Sequence, residues 1–413
     1  MKPVKITIVG GGFGGIYALK KFHKLFHGNK NIKITLVNEK NYFLFTPLLH
    51  EVATGGVNAG NIVESIRKIL GCCVETLHIG KVTNIDLKNH KLEMATGTWD
   101  FDYLVLAPGA ETNFYDIPGA EENSFTLKTL DDAVRLKDHL ITLVDQASFV
   151  LDRKRRSDML RFIVVGGGPT GVELAAELQE FLKKTFSRYY PEDLIEDISV
   201  IIVQKTSDIV PQFSELLRKK SLEILQKKGL EILFNTEVKE VTKEEVKFSI
   251  GNSLKTKTVV WTAGVKPANI SFAEKVEKEM NGRLKVNQYL QLEKYPFVYA
   301  VGDVAGVKSE DGSFFSALAQ VAVKEAEIAV ENIKNQIEGQ ALKSFMYKNE
   351  GTLVSLGKWM AAGEIFGFNF SGHFAWWVWR TVYLFKLVSW QKKARVALDW
   401  TLTAFSARDI SEL

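Results

Sequence analysis

The chain has 413 residues, enough for two or three domains at about 150 residues each. Lys and Arg total 53 against 49 Asp and Glu, and the resulting +4 is too small for a chain of this size to bind nucleic acid by bulk charge. A hydrophobic fraction of 46% with 25% charged residues excludes disordered, collagen-like and low-complexity classes for most of the chain.

From the N-terminus, Met1 leads directly into KITIVGGG with no long apolar run and cleavage site, which favours the cytoplasmic side. Residues 4–9 read as a buried parallel strand, followed by the turn Gly10 to Gly15, a helix from about Ile16 to Phe26, and a second strand, IKITLV, ending at Glu39. This is a βαβ unit. Adjacent Cys72 and Cys73 supply neither a disulfide framework, a zinc ribbon nor a CxxC redox pair, so a reducing compartment is expected. DYLVLAPGAETN (Asp102 to Asn113) is a strand entering a proline–glycine turn.

The first design returns at RFIVVGGGPTGVELAAEL (Arg161 to Leu178), with a helix starting near Val172 and a strand in SVIIVQK (Ser199 to Lys205). Two such units imply two nucleotide-binding domains in an α/β chain. KTVVWTAGVKP (Lys257 to Pro267) repeats the strand-to-turn pattern, FVYAVGDVAG (Phe297 to Gly306) is a buried strand ending in Gly-Asp, and Leu318 to Ile333 is strongly helical. Thr352 to Phe366 reads as paired strands and Gly372 to Phe405 as aromatic helix.

Each glycine turn fits a dinucleotide fingerprint. In Gly10-x-Gly12-x-x-Gly15 the first glycine permits the turn, the second admits pyrophosphate to the backbone, and the third lets helix and strand pack closely. The helix N-terminus then favours phosphate, and Glu39 can accept from the adenine ribose hydroxyls. In the second turn, Gly166, Gly168 and Gly171 serve alike, but the strand ends in Gln204 and Lys205. Gln204 can bond a ribose diol without repelling a 2′-phosphate, and Lys205 either attracts that phosphate or points into water, so NADH and NADPH both stay open. Two dinucleotide sites suggest a flavin and a nicotinamide meeting at one reaction centre.

Together with NYFLFTPLLHEVATGG (Asn41 to Gly56), LVLAPGAETNFYDIPG (Leu104 to Gly119), VVWTAGV, YAVGDVA, ALAQVA and the tail SGHFAWWVWRTVYLFKL, these turns make the whole chain resemble type II NADH dehydrogenase, a single-subunit, non-proton-pumping NADH:quinone oxidoreductase. The resemblance implies the disulfide-reductase-like flavoprotein fold, two Rossmann-like dinucleotide-binding domains with a C-terminal helical segment that associates with the membrane. It places an FAD domain at 1–115 and 281–345, a connecting helix and strands at 116–160, an NAD(P)H domain at 161–280, and a strand pair with amphipathic anchoring helices at 346–413. It implies FAD held by Gly10, Gly12, Phe13, Gly14, Gly15, Glu39, Lys40, Thr46, Val82, Ala107, Pro108, Gly109, Gly302, Asp303, Ala319, Gln320 and Val321. NAD(P)H is expected at Gly166, Gly168, Pro169, Thr170, Gly171, Glu173, Gln204, Ala263 and Gly264.

By the same resemblance, Glu173 is the charged group assisting the redox step, and Gln320 can bond a quinone carbonyl. The family's AQxAxQ pattern is broken here by Lys324, which either donates to the quinone or faces solvent. The plain alternative for Glu173 is a carboxylate complementing the helix dipole. His23 and His27 read as solvated rather than metal-binding, no other metal site is expected, and His50 beside TPLL reads as a packing residue.

The tail holds five of the eight tryptophans, Trp376, Trp377, Trp379, Trp390 and Trp400. His373 to Val388 is too short, and too interrupted by Arg380 and Lys386, to cross a bilayer. It reads as a helix lying on the membrane through residues 372–405, with a dimer interface or a domain-covering helix as the alternative. The expected protein is therefore a peripheral enzyme on the cytoplasmic face of the cell membrane, a homodimer acting on a membrane quinone and not on nucleic acid. A sulfide:quinone or ferredoxin-type reductase, or a non-catalytic NAD(P)H sensor, are the alternatives on this scaffold.

Overall fold

The computed structural model describes residues 2–70, 76–309, 312–349 and 351–412; Cys72 and Cys73 lie outside the described residues. The chain divides into two compact units. The first comprises Met1–Leu44, Val63–Glu111 and Val265–Lys348, and the second Phe45–Ile62, Thr112–Gly264 and Asn349–Leu413. The segment carrying Thr46 and His50 and the whole C-terminal stretch thus group with the second glycine turn.

In the first unit, strand β1 (Val4–Val9) leads through the glycine turn to helix α1 (Phe13–Phe26) and strand β2 (Ile32–Asn38), and β3 is Tyr103–Leu106. Six strands form one sheet in the order Gln291–Leu292, Tyr295–Ala300, β3, β1, β2, Thr76–Ile79. All neighbours are parallel except the Gln291–Leu292 edge. A parallel sheet covered on both faces needs near-continuous apolar strands, and Ile6, Ile8, Leu36, Leu104, Val105 and Val298 are fully buried. Helix α1 lays Gly15, Ile16, Leu19 and Phe22 inward at helical spacing and packs against the helix Ala319–Ile337, which answers with Ala322, Ala326 and Ala329. Burying each such Ile, Leu or Phe contributes about 1.5–3 kcal/mol. Helix α1 starts at Phe13, three residues before the position expected from sequence, because the third glycine of the turn lies within the first helical turn.

In the second unit, α2 is Leu49–Val52, β4 Arg161–Val165, α3 Pro169–Gln179, β5 Ser199–Val203 and β6 Thr258–Trp261. Four parallel strands run in the order Glu231–Leu233, β5, β4, β6. Ile163, Val165, Ile201, Val203, Val259 and Trp261 form the centre of their core. Helix α3 opens at Pro169, again ahead of the Val172 expected, and continues as a π-helical turn over Glu180–Thr185. The C-terminal stretch forms an antiparallel sheet of β7 (Gly351–Ser355), β8 (Ala361–Ile365) and β9 (Phe368–Gly372), followed by helices α4 (His373–Lys386) and α5 (Trp390–Phe405). Among the described residues no helix is long and apolar enough to cross a membrane.

Candidate functional site

The two glycine turns are built alike, and the structure shows what each glycine does. Gly10 and Gly166 hold φ +103° and +109°, conformations that L side chains rarely adopt. A β-carbon on Gly15 would lie 1.8 Å from the Gly10 carbonyl oxygen, and one on Gly171 1.9 Å from that of Gly166, so neither helix could pack onto its strand. At Gly12 and Gly168 a β-carbon would meet nothing within 4 Å. The middle glycines therefore leave open the place where a pyrophosphate approaches the backbone. Both helices begin there without a side-chain cap, so their positive ends are aimed at it. These residues fit two dinucleotides.

Other expected cofactor residues of the first unit gather at the same turn. A β-carbon on Gly10 would strike Ala107 O at 2.2 Å and Pro108 Cα at 2.9 Å, and one on Gly14 would touch Val301, Ala107 and Ala322. Gly302 (φ +73°), Asp303, Ala317, Leu318 and Val321 line one cleft with Arg283 and Glu325. The Ala319–Ile337 helix opens onto it without a side-chain cap. Glu325 was not anticipated from sequence. Its buried Oε2 accepts from Gly302 N at 2.5 Å, and burial pushes its carboxyl up to about 8. Lys324 sits on the exposed face, 3.8 Å from Glu327. Glu39 and Lys40 are exposed at the end of β2, and Val82 opens the strand Val82–Asp86. Thr46 lies in the second unit.

In the second unit Gly166 abuts Ala263, and Gly264, at φ +159°, stands against Tyr115, whose hydroxyl donates to Ala263 O at 3.3 Å. The strand ends pair in register: Gly10 N donates to Val37 O and Gly166 N to Val203 O. Val37 thus corresponds to Val203, and Asn38, not Glu39, to Gln204. Glu39 corresponds to Lys205. Lys205 Nζ lies 2.7 Å from Glu237, whose carboxyl the hydrogen bonds from Lys205 and Lys239 hold down to about 2.

Glu173, on the second turn of α3, belongs to a buried cluster in the second unit. Its Oε1 accepts from Ser355 N of β7 at 3.0 Å, and its Oε2 lies 3.9 Å from His50 Nδ1 on α2. Burial pushes Glu173 up to about 8, against the pull of the Ser355 bond and of the Trp379 indole, whose N–H leans toward it without reaching hydrogen-bond geometry. Glu51, one residue after His50, is pushed by burial to about 7 although Trp400 Nε1 donates to its Oε2 at 2.5 Å and Arg380 favours its charge. Glu177, one turn beyond Glu173, is opposed by burial but held below the usual carboxylate range by Arg408, whose Nη2 lies 2.5 Å away. Burial pulls His50 down to about 4, so it is neutral, and its Nε2 has no hydrogen-bond partner among the described residues. Sequence reasoning found Glu173 and set His50 aside. It missed Glu51, Glu177 and Arg408, although acids at 173 and 177 lie four apart on one helix face.

The tail is two-faced. Trp376, Trp379 and Trp400 are buried, and the Arg380 guanidinium lies 4.0 Å from the Trp376 ring centroid and 4.5 Å from that of Trp400. Arg380, which the sequence shows as a charge interrupting the apolar run, is therefore turned inward. Phe374, Trp377, Phe385, Trp390, Leu398, Leu402 and Phe405 face outward and are exposed.

Residues 4–326 match the pyridine nucleotide-disulphide oxidoreductase family and residues 349–409 the NDH2 C-terminal domain. The chain is 31% identical to the type II NADH:quinone oxidoreductase Ndh of Mycobacterium tuberculosis, over 98% of this chain and 89% of that protein. It is 30% identical to a probable mitochondrial NADH-ubiquinone oxidoreductase of Schizosaccharomyces pombe, over 100% of this chain and 84% of that one. In fold it resembles NDH2 of Plasmodium falciparum solved in complex with NADH, at a TM-score of 0.91, 22% identity and coverage of 99% and 100% of the two chains. A sulfide:quinone oxidoreductase from Aquifex aeolicus is more distant, at 0.76 and 18% identity with 97% and 95% covered. With both of its segments matched and the nucleotide turns intact, the chain belongs to the pyridine nucleotide-disulphide oxidoreductases, in their type II NADH dehydrogenase branch.

Proposed function

We propose that this chain is an NADH:quinone oxidoreductase in which Glu173 gives a proton to the quinone as it is reduced. FAD, when bound, would supply the two-electron carrier between the hydride of NADH and the quinone. The balance is NADH + H⁺ + quinone → NAD⁺ + quinol, so one proton must come through the protein. The first unit would hold FAD through Gly10 to Gly15, Ala107 to Gly109 and the cleft at Gly302 and Asp303, with Val82, Glu39, Lys40, Ala319, Gln320 and Val321 as further contacts. The second would hold NADH at Gly166 to Gly171, Gln204, Ala263 and Gly264, with Thr46 of that unit as a further flavin contact. The observation that carries the reading is the matched pair of turns whose middle glycines alone are open.

A proton donor must keep its proton at working pH and be screened from bulk water. Glu173 does both, being 9% exposed with its carboxyl pushed to about 8. Gln320 and Lys324 remain the proposed quinone-side partners, Gln320 in the first turn of its helix. Lys324 would have to leave Glu327 to serve. The exposed aromatic face of α4 and α5, with Lys386, Lys393 and Arg395 among it, suits the head-group layer of a bilayer on the cytoplasmic, NADH-containing side. A homodimer presenting two such faces to one membrane is consistent with it.

An anaerobic titration tests the reading. NADH should bleach the flavin's visible band and a short-chain quinone should restore it; a protein without flavin, or one that quinone fails to reoxidise, ends it. Replacing Glu173 by Gln should lower turnover by about 100-fold or more while the flavin is still reduced by NADH. A sulfide:quinone reductase would need separated cysteines, whereas the two of this chain are adjacent.

A further inference from the structure

The segment that follows α5 straps across the second unit. Arg408 Nη1 donates to Thr54 O at 3.2 Å and Thr54 Oγ1 at 2.9 Å, and its Nη2 donates to Glu177 Oε2 at 2.5 Å. Beyond it, Asp409 pairs with Lys137 Nζ at 3.3 Å, Ser411 O accepts from the same ammonium at 3.1 Å, and Glu412 Oε1 accepts from Thr142 Oγ1 at 2.5 Å. Lys137 and Thr142 both lie on the helix Leu130–Ser148. Arg408 is thereby fixed at three acceptors, and its side chain is only 11% exposed.

Three carboxyls share the interior that this guanidinium enters. The groups facing Glu173 are His50 and Glu51 from α2, Glu177 from its own helix, Trp379 and Tyr383 from α4, and the Ser355 amide from β7. Arg380, between its two indoles, favours charge on Glu51 and Glu177 through space. Of the three acids, Glu177 alone has a guanidinium in direct contact among the described residues. Nη1 of Arg408 is taken up by Thr54 and Nη2 by Glu177, so this guanidinium serves Glu177 and neither of the other two acids.

We propose that Arg408 is a positioning residue for the redox reaction: by clamping Glu177 as the charged member of the cluster, it leaves the transferable proton on Glu173. The inference rests on the reading of Glu173 as proton donor, and it assigns the strap a part in the chemistry. Burial is the chief reason Glu173 keeps its proton, and a charged Glu177 adds to the cost of charge there, so the clamp acts through electrostatics and not through contact with substrate. Losing Arg408 lets Glu177 take up a proton, and Glu173, relieved of its charged neighbour, releases its own at lower pH.

The test uses the full-length flavoprotein and the infrared carbonyl band of the protonated carboxyl that disappears in Glu173→Gln. Its titration midpoint is measured in wild type, Arg408→Gln, Arg408→Lys and Glu177→Gln. Arg408→Gln and Glu177→Gln should each move the midpoint down by about 1 on the pH scale, and the alkaline limb of turnover should follow. Arg408→Lys should restore most of the wild-type value. An unchanged midpoint in Glu177→Gln, or in Arg408→Gln with only a lower melting temperature, overturns the proposal. If Arg408→Gln does not fold, Glu177→Gln decides alone, being nearly isosteric. Should Glu173→Gln turn over normally, the donor reading fails while the midpoint still reports on Arg408.

Discussion

Asn38 and Gln204 occupy the same place in two copies of one design. Each side-chain oxygen accepts the N–H of the residue after the first glycine, Gly11 or Gly167, at 2.7 Å. Both amides are thus committed to holding their turn, so in the proposed sites the residue after each, Glu39 in one unit and Lys205 in the other, is the one offered to a ribose beside them. Lys205 is not idle, since Glu237 takes up its charge and is itself shared with Lys239. A permanently ionised Glu237 would repel a 2′-phosphate and blunts the attraction that Lys205 offers. Glu237→Gln should therefore lower the KM for NADPH by about tenfold, a change near 1.4 kcal/mol, with the KM for NADH within twofold. Lys205→Ala should do the reverse. Equal effects on the two coenzymes would show that neither residue faces the 2′ position.

The glycines of the first turn offer a paired experiment. Gly15→Ala would place a methyl 1.8 Å from a backbone carbonyl, a clash that no rotamer relieves. The expected outcome is insoluble or unfolded protein. Gly12→Ala meets no neighbour, so the fold should survive with a melting temperature close to that of flavin-free wild type. Its methyl would occupy the pyrophosphate's approach, and the protein should purify without its yellow colour. Retention of full flavin by Gly12→Ala would show that the nucleotide lies elsewhere.

The legible parts of the sequence were those with local periodicity or fixed spacing. β1 and β4 are runs of apolar residues closed by a glycine turn, and β2 and β5 are the apolar runs that follow the helix in each unit. The buried acid cluster was illegible because its members come from residues 50–51, 173–177, 355, 379–400 and 408, which only the folded chain joins. The inward turn of Arg380 was hidden for a related reason. A helix carrying tryptophan at 376, 377 and 379 is apolar on more than one face, so composition alone could not say which indole is buried. Lys324 attracted notice by breaking a motif, whereas the neighbouring Glu325, which enters the cleft, had no spacing to mark it.

The two faces of the tail can be probed separately. Trp377, Phe385 and Trp390 are 59%, 71% and 74% exposed, so replacing all three by Ser removes little internal packing. The triple variant should keep its melting temperature within a few degrees and lose about tenfold or more in binding to vesicles containing anionic lipid. Trp400→Phe acts inside. It removes the N–H donated to Glu51 Oε2 and exchanges one of the two indoles around Arg380 for a smaller phenyl ring. It should cost about 2–4 kcal/mol of stability with vesicle binding per folded molecule unchanged. Loss of vesicle binding in Trp400→Phe alone, or none in the triple variant, would move the membrane face elsewhere.

Glu325 couples the stability of the fold to pH. Its carboxyl is raised by burial from the ordinary 4.5 to about 8 in the folded protein. A carboxyl with a raised folded value contributes its stability in full below the unfolded value, and that contribution is lost as pH rises through the folded one. The window therefore runs from about pH 4.5 to pH 8. On the acid side the sign reverses. Burial pulls both His50 and His139 down to about 4, so their contribution is complete above the unfolded 6.5 and is lost as pH falls through 4. Stability should peak between these limits. Glu325→Gln keeps an oxygen to accept from Gly302 N and removes the titration, so its melting temperature should overtake that of wild type as pH rises from 6 to 9. The gain should be a few kcal/mol at most at the alkaline end, since each tenfold change in proton affinity between the folded and unfolded chain corresponds to about 1.4 kcal/mol and local rearrangement can relieve part of it. Calorimetric scans of both proteins at matched rate across that range measure the crossing. Parallel curves from pH 5 to 9 would place the proton on some group other than Glu325.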